Sequence, residues 1–165
     1  MERLLFTGAS GFLGNNIPRI LEETYDVFTV GLTDDDDLKT DIAKERPLLN
    51  THFDIVLHAA GKAHSVPKTE EEKRVFFDVN YQGTINLCDA LEMVGTPKAL
   101  VLISSVAVYG CDFGERITEE HPLSGNTPYA KSKIMAERHL MEWCERNGVT
   151  KLRSEERRVG KECRS

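Results

Sequence analysis

Four short apolar runs, RLLFT (3–7), DVFTV (26–30), DIVLH (54–58) and ALVLIS (99–104), recur along the chain with helix-compatible stretches between them. That alternation constrains the fold more than any single motif. Continuous apolar runs of this length suit strands covered on both faces. Between the first two, Phe12, Leu13, Ile17, Ile20 and Leu21 keep helical spacing from Phe12 to Glu23, with Pro18 inside the pattern. Pro18 is expected to kink that helix or cost it a hydrogen bond. A brief extended piece is expected around Leu38 to Ile42, and a long helix from about Glu70 to Val94. A last helix opens with Thr127 as cap and Pro128 in its first turn, and Gly148 closes it. Alternating strands and helices call for parallel strands joined by right-handed crossovers. The predicted fold is therefore α/β, a doubly wound parallel sheet of Rossmann type in three α/β/α layers.

The stretch TGASGFLG (7–14) lies between the first predicted strand and the first predicted helix. In that context spaced glycines carry a mechanism for holding phosphate. Gly8 permits a tight turn, Gly11 lets backbone approach a pyrophosphate, and Gly14 lets helix pack close on strand. Free N–H groups at the helix start then face the negative charge. The loop is expected to bind a dinucleotide.

Bulk properties narrow the partners. A length of 165 residues, 40% of them hydrophobic, has room for one domain with a real core. The formal net charge of -6 argues against nucleic acid and anionic lipid, either of which would repel the chain. No apolar run approaches the roughly 20 residues needed to span a bilayer. The N-terminus enters a strand directly, with no basic leader. Cys88, Cys111, Cys144 and Cys163 are scattered, so neither a metal site nor a disulfide framework is expected, and a cytoplasmic location fits best.

The Thr-Gly-x-x-Gly-x-x-Gly spacing resembles that of the short-chain dehydrogenase/reductase superfamily, in its extended branch of nucleotide-sugar epimerases, dehydratases and reductases. HAAG (58–61), VNYQGTINL (79–87), ISSVAVYG (103–110) and PYAKSK (128–133) match in the same order. The likeness, that of an NAD-dependent epimerase/dehydratase, runs from the start of the chain to about residue 152. It implies that Gly8, Gly11, Phe12, Leu13 and Gly14 hold the dinucleotide, with Ala59, Ala60 and Gly61 as the turn beside it. It also implies that Asp41 and Ile42 reach the adenine and that Asn80 lies near the cofactor; a plain structural amide is the alternative for Asn80. Tyr129 and Lys133 are implied to serve both cofactor and catalysis, with Ser105 bonding the reacting oxygen. The implied substrate is a small molecule, a nucleotide sugar, and the implied full-length assembly is a homodimer.

Tyr129 and Lys133, four residues apart, share one helix face about 5–6 Å apart at Cβ. A free tyrosine has a pKa of about 10. An ammonium at that range, in an effective dielectric of about 20, lowers it by about two units. That brings the phenol within reach of acid/base work. His58, Ser104, Met141, Trp143 and Cys144 read instead as packing or strand-end residues.

Two departures from the family pattern narrow the chemistry. Sugar dehydratases of this branch carry an acidic pair before VYG, where this chain has Val106 and Ala107. An epimerase or reductase is expected instead; a reductase of a non-sugar carbonyl and a non-catalytic dinucleotide sensor are the rivals. NAD-using relatives often end the second strand in an acidic residue, where this chain has Gly31 and Leu32. With four aspartates following and no Arg or Lys expected close by, NAD is expected rather than NADP.

The end of the chain reads RSEERRVGKECRS (153–165) where the family continues into an apolar strand. Arg153, Glu155, Glu156, Arg157 and Arg158 are not expected in a central strand, since burying unpaired charge costs several kcal/mol. The string resembles a translated sequencing-adapter oligonucleotide, so the native frame is expected to stop near Leu152 or Arg153. Residues 1–152 then form an incomplete dinucleotide-binding domain and 153–165 a non-native tail. The tail holds five basic and three acidic residues, so the body alone is more acidic still. Without a substrate lobe the chain by itself is expected to be poorly soluble and inactive.

Overall fold

In the computed structural model, residues 1–156 are described apart from 12, 15, 64 and 112–116. Six strands, β1 (Arg3–Thr7), β2 (Asp26–Gly31), β3 (Leu38–Lys39), β4 (Ile55–His58), β5 (Ala99–Ser105) and β6 (Thr150–Glu156), form one sheet. Every pairing is parallel, in the order β3-β2-β1-β4-β5-β6. The order reverses direction between β1 and β4. Their carboxyl ends diverge there into the crevice where doubly wound sheets take ligands.

Helices α1 (Pro18–Leu21), α2 (Glu70–Phe77), α3 (Gly83–Val94) and α4 (Pro128–Asn147) connect the strands. Leu5, Val56, Leu87, Leu91, Leu100, Trp143 and Cys144 are buried together as the main core between sheet and helices. The Trp143 indole N–H donates to Glu92 Oε1 at 2.7 Å, which ties α4 to α3 while the ring stays dry. Thr127 caps α4 by accepting the Ala130 N–H at 3.1 Å, and Gly148 closes it at φ 66°.

Two expectations need correction, the first helix and Met141. The first crossover helix is one turn long and opens at Pro18, whose missing N–H is harmless at a helix start. Leu13, Gly14 and Asn16 lie in turns instead, with the Ile17 N–H donating to the Leu13 carbonyl. The helix expected from Glu70 to Val94 runs that whole length, with a π-turn over Asp78–Gln82 between α2 and α3. Met141 is 47% exposed, unlike its packed neighbours Trp143 and Cys144. Arg153 through Glu156 lie in the edge strand beside β5, not in a central one.

Candidate active site

The glycine loop crosses the carboxyl end of β1. Gly8 takes a φ of 83°, and a Cβ there would lie 2.6 Å from the Ala60 nitrogen. The loop thus lies directly against the Ala59–Gly61 turn that follows β4, with no room for a side chain between them. A Cβ on Gly14 would run into the Ala9 carbonyl. Gly14 therefore lets the loop fold on itself, rather than bringing helix onto strand as expected.

A buried hydrogen-bond chain fixes the strand ends beneath this loop. Thr84 Oγ1 donates to the Asn80 carbonyl at 2.7 Å, so it must accept from His58 Nε2 at 2.9 Å. His58 Nδ1 is then the acceptor for the Thr7 hydroxyl at 2.6 Å. Burial, with the Lys133 charge as a smaller cause, pushes the His58 pKa down to about 3. His58 is a neutral strut between β1, β4 and the π-turn, not an acid or base.

The π-turn has a visible consequence. Asn80, buried within it, accepts the Lys62 N–H at 2.8 Å and donates to the Lys62 carbonyl and Ser132 Oγ at 3.1 and 2.9 Å. One amide therefore clamps the loop after Gly61 to α4. These bonds give Asn80 a structural role beside Gly61.

On α4, Lys133 is buried and donates from Nζ to the Ile103 carbonyl at 2.8 Å. A Cβ on Gly61 would lie 3.2 Å from that Nζ, so the ammonium stands against the β4 turn. Tyr129, half-buried one turn earlier, packs its ring on Phe76 at 6.0 Å between centroids. One turn after Lys133, the buried Glu137 receives the Ser104 hydroxyl and pairs with Arg153 at 2.9 Å. Arg153 also donates to Tyr109 Oη at 2.5 Å. Arg153 is half-buried on the edge strand, with Glu137 as its partner. Sequence spacing could have flagged Glu137, which follows Tyr129 and Lys133 on one helix stripe; nothing in the sequence announced Arg153.

Two adjoining cavities run along the carboxyl ends of the strands. One, about 360 Å³, is lined by Gly8, Gly11, Leu13, Ala59, Gly61, Tyr129 and Lys133, with Ile103 and Ser104 as its floor. The other, about 170 Å³, is lined by Gly31, Leu32, Asp41, Ile42 and Ala60, and it shares Gly8, Gly11, Ala59 and Gly61 with the first. Together they make one groove across the switch point. Most of the expected site residues meet in it. Gly14 lies behind it, Asn80 supports it, and Phe12 falls outside the described residues. Ser105 is off the groove wall; its hydroxyl accepts the Ala107 N–H at 3.2 Å and caps the 3-10 turn over Val106–Tyr109.

The absence of a cation near the end of β2 also needs correction. Lys39 pairs with Gly31 in the sheet register, although its ammonium is held by Asp34 at 2.7 Å. Asp41 directs its carboxylate to the Ala43 N–H at 3.2 Å and to Lys44 at 2.8 Å, holding the turn under the smaller cavity.

These residues fit a dinucleotide. The groove is long, its middle is faced by glycine and alanine backbone, and one end carries a phenol and an ammonium. Fold and groove define a Rossmann-type nucleotide-binding domain of the short-chain dehydrogenase/reductase kind. The chain belongs to the NAD dependent epimerase/dehydratase family, whose model matches residues 4–153.

Among its relatives, a 4-epimerase of N-acetyl-alpha-D-glucosaminyl-diphospho-ditrans,octacis-undecaprenol from Escherichia coli O157:H7 is 34% identical, over 86% of this chain and 44% of its own. The GDP-6-deoxy-D-mannose reductase of Pseudomonas aeruginosa is 31% identical over 86% of this chain and 47% of its own. Among solved structures, RMD from Pseudomonas aeruginosa, complexed with NADPH, superposes with a TM-score of 0.77 at 28% identity, covering 94% of this chain and 52% of that one. The chain thus spans about half the length of these relatives.

Proposed function

We propose that the chain is the cofactor-binding half of an NAD-dependent nucleotide-sugar epimerase or related oxidoreductase. The observation that carries this reading is the single groove joining the glycine loop to Tyr129 and Lys133. Its smaller, Asp41-flanked end suits the adenosine, and the glycine backbone suits the pyrophosphate. When bound there, the nicotinamide supplies reversible hydride acceptance.

The chain's own residues supply the proton chemistry. Tyr129 takes and returns the proton of the reacting sugar hydroxyl. Lys133, fixed to the Ile103 carbonyl, holds its positive charge one helical turn from the phenol and favours the phenolate. Ser105 orients the reacting oxygen, which requires its hydroxyl to turn from the Ala107 N–H toward the substrate. Val106 and Ala107 offer no acid or base for loss of water. The named relatives, an epimerase and a reductase, accord with these two chemistries. The reductase relative keeps reduction of a sugar carbonyl as the second reading.

NAD is the preferred cofactor, because Lys39 is already engaged by Asp34 and a file of aspartates follows β2. The relative solved with NADPH keeps NADP as the second reading. The native domain is read as residues 1–152, with 153–165 a foreign tail. The genomic locus should continue into an apolar strand there; an Arg-Ser-Glu-Glu reading in the genome would overturn this.

The test of function is Tyr129→Phe in the full-length gene product, assayed for UDP-sugar 4-epimerisation and sugar-carbonyl reduction. Turnover should fall by about 10²–10⁴-fold while dinucleotide affinity stays within about threefold. Retained turnover would contradict the assignment.

A further inference from the structure

At the reacting end of the groove, the described residues lining the larger cavity include two lysines, Lys62 and Lys133, and no Asp or Glu. Lys133 is committed to the Ile103 carbonyl. Lys62 directly follows Gly61 in the loop after β4.

The placement of Lys62 is built in. The buried Asn80 amide holds both of its backbone polar groups, accepting the N–H at 2.8 Å and donating to the carbonyl at 3.1 Å. The side chain carries Nζ to 5.8 Å from the centre of the Phe76 ring, within the range at which an aromatic face attracts a cation. Phe76 is 1% exposed, and the Tyr129 ring packs on it at 6.0 Å. Ammonium, phenyl ring and phenol ring thus follow one another, with the first and last at most about 12 Å apart. A buried ring between them leaves little water to screen the charge.

The other charges near Tyr129 are engaged or turned away. On α2, against which its ring packs, Lys73 is paired with Glu70 at 2.5 Å and Glu72 accepts the Lys68 N–H at 2.5 Å. Glu71 and Arg74 are exposed. His58, beneath the glycine loop, is neutral.

We propose that Lys62 is a second cation for Tyr129, favouring the phenolate across the Phe76 ring and so setting the pH at which the phenol can accept a proton. It acts through Tyr129 as a positioning charge, not on the substrate. This rests on Tyr129 being the acid/base of the groove. A unit charge at about 12 Å, in an effective dielectric of about 20, moves an ionisation by about one unit.

Two readouts in the full-length gene product test this. One is the ultraviolet absorbance of the Tyr129 phenolate as pH is raised, isolated by subtracting the titration of Tyr129→Phe. The other is the acidic limb of turnover against pH. Lys62→Met should raise both midpoints by about one unit, so that turnover falls about tenfold below them and is little changed above them. Lys62→Arg, which keeps the charge, should return both to within about 0.3 unit. Lys68→Met removes an exposed charge of the same loop and should move neither by more than about 0.3 unit.

Unmoved midpoints in Lys62→Met, an equal shift in Lys68→Met, or no restoration in Lys62→Arg would overturn the role of Lys62 while leaving Tyr129 as the acid/base. Full turnover in Tyr129→Phe would instead remove the acid/base reading, and the role of Lys62 with it.

Discussion

At the scale of single residues, His58 shows how a titratable group is used for structure. Both ring nitrogens are engaged by buried hydroxyls and its pKa is pushed down to about 3. The unfolded chain takes up a proton here below about pH 6.5, whereas the folded chain does not until about pH 3. Stability therefore falls as the pH drops between those values, by up to about 1.4 kcal/mol per unit, and is independent of this group above them. Urea unfolding at pH 7.5 and 5.5 checks this. His58→Gln should narrow the stability difference between the two pH values by about 1.4 kcal/mol, whatever it does to absolute stability. An unchanged difference would show that His58 titrates normally. The packing role of His58 was legible in the sequence, because a histidine ending an apolar strand before small residues has nowhere to go but inward. Its tautomer was not, since Thr7 and Thr84 lie 51 and 26 residues away from it along the chain.

At the scale of elements, α4 is the organising piece. Tyr129, Lys133 and Glu137 occupy successive turns of one stripe, and two of them reach the end of β5 directly, Lys133 at the Ile103 carbonyl and Glu137 at the Ser104 hydroxyl. Glu137 is buried and its partner Arg153 half-buried, with side chains 2% and 22% exposed. Glu137→Ala leaves a half-buried guanidinium that keeps Tyr109 Oη, so it should cost about 2–3 kcal/mol in denaturant unfolding. A cost below about 1 kcal/mol would mean the pair is merely a surface contact. Caps and breakers made the bounds of α4 readable in advance, through Thr127, Pro128 and Gly148. The π-turn at Asp78–Gln82 inside the long helix was not readable, because VNYQG carries no proline and no local sign of one. It accompanies Asn80 reaching across to Lys62 and Ser132, a tertiary requirement. Pro18 was visible, but its effect was misjudged: it starts a short helix instead of bending a long one.

At the scale of the whole molecule, strand order and switch point follow from the alternation of apolar runs, and the groove follows from the switch point. That much was in the pattern. Which residues line the groove was less so: Ser104 rather than Ser105 lines it, although its hydroxyl turns to Glu137, and a carboxylate from a loop fills the space over Gly31. Ser104 and Ser105 both end β5, and the partners that fix their hydroxyls, Glu137 and the Ala107 N–H, are not set by strand alternation. Among the described residues no helix is long and apolar enough to cross a membrane.

The central claim is that one groove brings a dinucleotide from the glycine loop to Tyr129 and Lys133. A crystal structure of the chain grown with NAD measures this directly. The account predicts pyrophosphate density over Gly8 and Gly11, and a nicotinamide ribose within hydrogen-bond reach of the Tyr129 hydroxyl and Lys133 Nζ. A nucleotide bound elsewhere, or a Tyr129 hydroxyl turned to bulk water beside a filled groove, would contradict it.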